Sequence, residues 1–167
     1  MPKARKKQLA GMVYSMTNEE GNNQVIAFRR GINGKLTQMK AYPTGGGGTG
    51  SAEVSPATPQ DGVDPLASQG SLILSKDAEF LFAVNAGTNS ISSFRVAASG
   101  GLYLADVEPS GGCQPNSLAV FGNRLYVSNV GNAANNYASN ISGFRVERDG
   151  RLTPIPGATY TLSTANA

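Results

Sequence analysis

The residues of this chain that could do chemistry are serines, asparagines and arginines at fixed points of a repeat. Ser71 and Ser117 each open a short apolar run, 71-SLILS-75 and 117-SLAVF-121. Asn18, Asn85 and Asn129 each close a β-rich run. Arg29, Arg95 and Arg145 each follow a phenylalanine, in the pairs Phe28-Arg29, Phe94-Arg95 and Phe144-Arg145. A serine hydroxyl becomes a nucleophile only when a base takes its proton. The sequence contains no histidine. That excludes Ser-His-Asp and Cys-His activation, histidine-ligated metals and histidine as general acid or base. Amides and hydroxyls can still orient a carbonyl by hydrogen bonds. Arginines converging on one channel would hold a carboxylate or phosphate.

Each candidate also has a plain structural reading, toward which the sequence weighs. Alternation along a strand sends phenylalanine to a core and the next residue, arginine, to the other face. Asparagine and serine at strand ends bond to nearby turn backbone. Asp77 in SKDAEF and Asp149 in ERDG read as turn residues, and the adjacent Glu19 and Glu20 would diverge on a strand. Cys113 is the single cysteine, which leaves no internal disulfide and no cysteine metal cluster. Gly45, Gly47 and Gly50 fit the letters of G-x-G-x-x-G, but Pro56 and Pro59 follow where a dinucleotide site would open a helix. The segment reads as a flexible loop, and no cofactor is expected.

The elements that position these residues repeat three times. The segments 81-LFAVNAGTNSISSFRV-96 and 125-LYVSNVGNAANNYASNISGFRV-146 share one order of parts, and 13-VYSMTNEEGNNQVIAFRR-30 is a looser copy. Each has a β-rich run ending in Asn, a polar turn, an alternating run ending in Phe-Arg, a glycine turn (Gly34, Gly100-Gly101, Gly150) and a run opening on Leu36, Leu102 or Leu152. Period-two alternation, β-branched and aromatic residues and these turns predict strands joined by hairpins. In the second and third copies the mostly apolar runs at 71–75 and 117–121 add a strand in front, expected to be buried on both faces. Four strands per unit of this length is the pattern of a β-propeller blade. The fold class is therefore all-β, an incomplete propeller of about three blades. The first blade, at 11–44, lacks its innermost strand; the others span 68–112 and 113–163, with a Pro- and Gly-rich loop at 45–67 and a basic tail at 1–10. An open arc leaves apolar sheet faces bare, lined by residues such as Val13, Ile26, Ile141 and Leu152, so self-association or further blades are expected.

At 40% hydrophobic and 15% charged residues, the composition is too apolar for a disordered chain. The net charge of +3 is carried by the tail: Lys3, Arg5, Lys6 and Lys7 supply +4, so the remainder is −1. No nucleic-acid partner is expected from that balance, and no run approaches a membrane span, so no membrane partner is expected either. Gln8, Gly11 and Ser15 interrupt any apolar signal-peptide run, which gives a cytoplasmic expectation. Secretion stays open if the N-terminus is not native, and only then would Asn140-Ile141-Ser142 be a glycosylation sequon.

The ordered set VYSMTN, AFRR, YPTGGGGTG, SQGSLILS, LFAVNAG, ISSFRV, SGGCQPNSLAV, LYVSNVG, NISGFRV and DGRLTPIPG resembles the lactonase-like seven-bladed propellers known as 3-carboxymuconate cyclase- or 6-phosphogluconolactonase-like. The resemblance runs from about residue 12 to residue 163 and implies about four blades beyond these three. It implies, as activity, the opening or closing of a carboxylated lactone, and a small acidic lactone as partner. Family lactonases often carry a histidine at the mouth of an innermost strand, in a Gly-Pro-x-His-like segment. The nearest match, 111-GGCQPNS-117, puts Ser117 at that place with Asn116 before it; in the preceding blade the place falls to Ser71, with Gln69 nearby. The candidate ligand residues are thus Asn116, Ser117, Gln69, Ser71, Asn85, Asn129, Arg95 and Arg145. Asn116 and Ser117 would orient the carbonyl, an arginine would hold the carboxylate, and the base would come from further blades or a partner; the alternatives are a non-catalytic propeller that binds a protein or small ligand, or an inactive truncated fragment.

Overall fold

A computed structural model describes residues 11–50 and 68–163; the basic tail and residues 51–67 of the long loop lie outside the described residues. Strands β1 (Met12–Met16), β2 (Gln24–Arg30) and β3 (Leu36–Pro43) form a three-stranded antiparallel sheet. Strands β4 (Leu72–Leu74), β5 (Phe80–Asn85), β6 (Ser90–Val96) and β7 (Leu102–Pro109) form a second sheet, in that order. The third sheet contains β8 (Pro115–Phe121), β9 (Arg124–Asn129), β10 (Ser139–Val146) and β11 (Leu152–Ser163). Apart from one 3-10 turn at Ala133–Asn135, the regular structure of the described residues is all β. None of their helices is long and apolar enough to cross a membrane.

The repeat fixes the register. Phe28, Phe94 and Phe144 face Val13, Leu81 and Leu125 across the hairpin. In each sheet the pairing with the outer strand slips immediately before that phenylalanine: Ala27/Phe28, Ser93/Phe94, Ser142/Phe144. A bulge at one place in every unit increases strand twist there. Gly34, Gly100 and Gly150 take positive φ in the hairpins that follow, a conformation only glycine adopts freely.

Packing is face to face, and the middle sheet is covered twice. Leu81, Ala83, Phe94 and Leu102 form one core with Val25 of the first sheet. Phe82, Val84 and Ile91, from the other face of the same strands, form a second core with Leu118, Leu125, Val127, Phe144 and Leu152. Burying such side chains contributes about 1.5–3 kcal/mol each. Two expectations fail here. The innermost strands are not the most buried elements: β4 is only half-buried and Leu74 is exposed, whereas β5 and β6 are nearly enclosed. An innermost strand lies at the sheet edge, while the two central strands have a sheet on each side. Leu152 does not line a bare face either; it is buried against the middle sheet. The outward face of the third sheet instead carries Tyr126 and Tyr160, both exposed, and half-buried Ile141, which pairs with Tyr160.

Candidate functional site

All three sheets have two rims. At the upper rim β4 and β8 begin, β5 and β9 end, and the 110–114 loop crosses from β7 to β8. Here Ser71 and Ser117 occupy equivalent places, because Leu72 faces Ala83 as Leu118 faces Val127. The innermost strands meet at this point. Leu118 N–H donates to the Gly70 carbonyl at 2.9 Å. The Ser68 hydroxyl donates to the Asn116 carbonyl and lies 3.2 Å from Ser117 Oγ, while Gly70 N–H donates to Ser68 Oγ at 3.1 Å. With its own proton on Asn116, Ser68 must accept from Ser117. The Ser117 proton is thereby directed to a neighbouring hydroxyl, and a ligand carbonyl must compete for it. Asn116 is buried beside this junction, Ser117 and Ser71 are half-buried, and Gln69 is exposed. Ser68 carries no sequence signal of its own.

Asn85 and Asn129 lie at the same rim but are fully buried. Asn85 Oδ1 accepts from Thr44 Oγ1 at 2.6 Å and Asn23 Nδ2 at 3.1 Å, both from the first sheet's rim; its Nδ2 donates to Ser92 Oγ at 2.7 Å and Ser90 Oγ at 3.2 Å. Ser92 Oγ returns a bond to the Thr44 carbonyl at 2.7 Å. This is a clamp between sheets, so Asn85 is not presented to a ligand. The equivalent Asn129 donates to Asn140 Oδ1 at 2.8 Å and the Ser110 carbonyl at 3.3 Å, but its buried Oδ1 accepts nothing. The two candidates that would complete the clamp are turned elsewhere. Ser110 Oγ donates to Gly112 O, and Asn89, at positive φ, accepts Gln114 N–H on its Oδ1. Asn18 is not the third member of the set. Met16 faces Val25 as Val84 faces Ile91, which puts Thr17 at the Asn85 position. Asn18 instead clamps the glycine segment, donating to Thr49 Oγ1 and the Gly50 carbonyl and accepting Thr49 N–H.

That segment is packed, not a loose loop. A Cβ on Gly46 would fall 2.6 Å from the Asn85 side chain, and one on Gly47 would fall 2.0 Å from the Glu20 carbonyl. The segments 43-PTGG-46 and 109-PSGG-112 repeat one motif, and this was the available signal for Thr44 and Ser110.

Arg29, Arg95 and Arg145 do not join this site. They end β2, β6 and β10 at the lower rim, exposed, with Arg145 paired to Glu147 at 3.2 Å. A cleft of about 650 Å³ also opens at the lower rim, between Ser75–Phe80 and Gly122–Asn123, with Glu147 and Arg148 beside it. It is remote from the Ser–Asn junction and holds none of the predicted ligand residues. Asp77 and Asp149 are turn residues as expected, accepting from Glu79 and Arg151 backbone N–H groups. Among the described residues the carboxylates at the upper rim are Glu19 and Glu20, exposed in the β1–β2 hairpin, and Glu108 on the outer strand β7. Burial, helped by Asp106, holds the Glu108 carboxyl above its ordinary range. No group of three or more metal-ligating side chains occurs among the described residues.

Residues 10–161 match the family model described as Lactonase, 7-bladed beta-propeller. No curated protein sequence matches the chain. Among solved structures, a candidate 6-phosphogluconolactonase from Bacteroides fragilis is 20% identical with a TM-score of 0.63, and the match covers 90% of this chain and 36% of that one. The periplasmic gluconolactonase PpgL of Pseudomonas aeruginosa is 24% identical with a TM-score of 0.59, covering 91% and 36%. A hypothetical selenium-binding protein from Sulfolobus tokodaii shares the fold at 12% identity, with a TM-score of 0.61 over 90% and 38%. The chain thus spans little more than a third of the length of these proteins.

Proposed function

Since this chain belongs to the seven-bladed β-propeller lactonase family, we propose that its upper rim takes a small acidic lactone, with the carbonyl oriented by Ser117 and Asn116. Ring opening or closing would then require a base from outside the described residues. One observation carries this reading: Ser68, Gly70, Asn116 and Ser117 converge where two innermost strands begin, joined by bonds in which no ionisable side chain takes part. Hydroxyls and amides can polarise a carbonyl, but they do not activate water at neutral pH. The carboxylate of such a lactone would not be held by Arg95 or Arg145, which lie at the other rim. A second reading, a non-catalytic propeller that binds a small ligand, draws on the same junction, because the Ser117 proton is already directed to Ser68. A cytoplasmic location belongs to the proposal; the Asn140 amide is engaged with the Gly111 carbonyl and Asn129, which works against glycan attachment there.

Binding is tested by titrating the chain with acidic and neutral lactones and following backbone amide chemical shifts. Saturable shifts at 68–71 and 115–118 that weaken in Asn116→Ala and Ser117→Ala are expected. Shifts elsewhere only, or shifts indifferent to both substitutions, would reject the upper rim as the site.

A further inference from the structure

The fold segregates charge in a way the net balance conceals. Every arginine of the described residues lies at the lower rim: Arg29 and Arg30 end β2, Arg95 ends β6, Arg124 opens β9, Arg145 ends β10, and Arg148 and Arg151 flank the β10–β11 hairpin. Lys35 and Lys76 sit in hairpins of the same rim. These nine cations face five carboxylates there, Asp77, Glu79, Glu147, Asp149 and Asp106, whose Oδ2 accepts Leu152 N–H beside Arg151, which leaves +4. Two of the carboxylates are already taken, by Arg145 at 3.2 Å and Arg151 at 2.8 Å. At the upper rim Glu19, Glu20 and Glu108 stand without a lysine or arginine among the described residues. The repeat supplies three of the seven arginines: the one after Phe28, Phe94 and Phe144 recurs at the same end of every sheet.

Apolar side chains protrude among these cations. Ile32 is fully exposed at the β2–β3 hairpin, between Arg30 and Lys35. Phe121 is 86% exposed at the β8–β9 hairpin and faces Arg124 across it. Exposed Tyr103 faces Arg95, and exposed Leu36 faces Arg30. Strand β1 also starts at this rim, and the sequence places Lys3, Arg5, Lys6 and Lys7 shortly before it.

From this pairing of cationic residues with protruding apolar tips we infer that the lower rim docks on an anionic lipid surface. Basic side chains there meet acidic headgroups, and Ile32 and Phe121 enter the boundary between headgroup and acyl chain. The aliphatic Ile32 and Leu36 favour a membrane over nucleic acid, because a stacking surface would be built of rings throughout, and only Phe121 and Tyr103 supply them here. The charge dipole would orient the chain on approach, lower rim first, leaving the upper rim toward solvent. This does not conflict with the lack of a spanning segment, since docking of this kind needs none, and it is independent of whether the upper rim binds a lactone.

The test is co-sedimentation of the full chain with vesicles of phosphatidylcholine, with and without phosphatidylserine. Binding is expected only with phosphatidylserine and is expected to weaken as salt shortens the screening length. Replacing Arg29, Arg30 and Arg148 together by Gln should lower partitioning about a hundredfold. Ile32→Ser with Phe121→Ser should lower it at least about tenfold. Glu19→Lys, at the other rim, should not weaken it, and thermal transitions of all variants check that they remain folded. No binding to phosphatidylserine vesicles overturns the inference. So does binding that survives the Ile32 and Phe121 substitutions. Tight binding to duplex DNA that displaces the chain from vesicles would reassign the rim to nucleic acid.

Discussion

Asn85 and Asn129 occupy one register position, yet truncating them should have very different effects. Asn85→Ala removes four side-chain hydrogen bonds, to Asn23, Thr44, Ser90 and Ser92, all within a buried layer between the first two sheets. At about 1 kcal/mol net for each bond, the loss is about 4 kcal/mol. Asn129→Ala removes two, to Asn140 and Ser110, and also removes the buried Oδ1 that accepts nothing. Relief of that buried acceptor is worth about 1–3 kcal/mol, so the two terms nearly cancel and the net change lies within about 1 kcal/mol of zero, in either direction. For a chain of this size 1 kcal/mol moves the melting temperature by about 3 °C. Asn85→Ala should therefore melt about 12 °C below the parent chain, and Asn129→Ala within about 3 °C of it, at matched protein concentration in a fluorescence-detected melt. Equal losses would refute the reasoning, because the clamp would then not depend on the partners described. A loss of lactone binding in Asn85→Ala without a change in melting would also refute it, since that residue would be a ligand contact.

Two further outcomes follow from the same structure. Burial and Asp106 raise the Glu108 carboxyl, so its protonated form is favoured by folding, and stability is lost as pH rises through its folded value; Glu108→Gln should raise the melting temperature at neutral pH and leave it unchanged well below the carboxylate range. The outward face of the third sheet, with Tyr126, Ile141 and Tyr160, should drive self-association of the isolated chain into rings or larger aggregates; light scattering should show species larger than one chain, reduced by Tyr126→Lys with Tyr160→Lys, and a monodisperse parent monomer would contradict this.

The blade pattern was legible because alternation and turn chemistry are local. Phe94 and Phe144 were placed correctly from the Phe-Arg repeat and the glycine turns after it. Asn18 falls out of the set because the first copy has Thr17 at the Asn85 position and an asparagine one residue later, so matching by residue letter slips the register by one. Leu152 was put on a bare face for a related reason: sequence tells which residues alternate, but not which face the next sheet covers. The clamp around Asn85 was not legible, since Thr44 and Asn23 lie 41 and 62 residues away. Ser68 was missed because its role comes from the adjacent innermost strand and not from its own segment. The charged rim was concealed for another reason, because a net charge sums over both rims while the fold separates them.

Turnover tests the chemistry of the upper rim most directly. The 167-residue chain, offered a panel of acidic and neutral lactones, should hydrolyse none faster than buffer, because the Ser68–Asn116–Ser117 junction supplies hydrogen bonds and no base. Turnover above buffer that Asn116→Ala or Ser117→Ala abolishes would contradict this and show that the junction is a complete catalytic site.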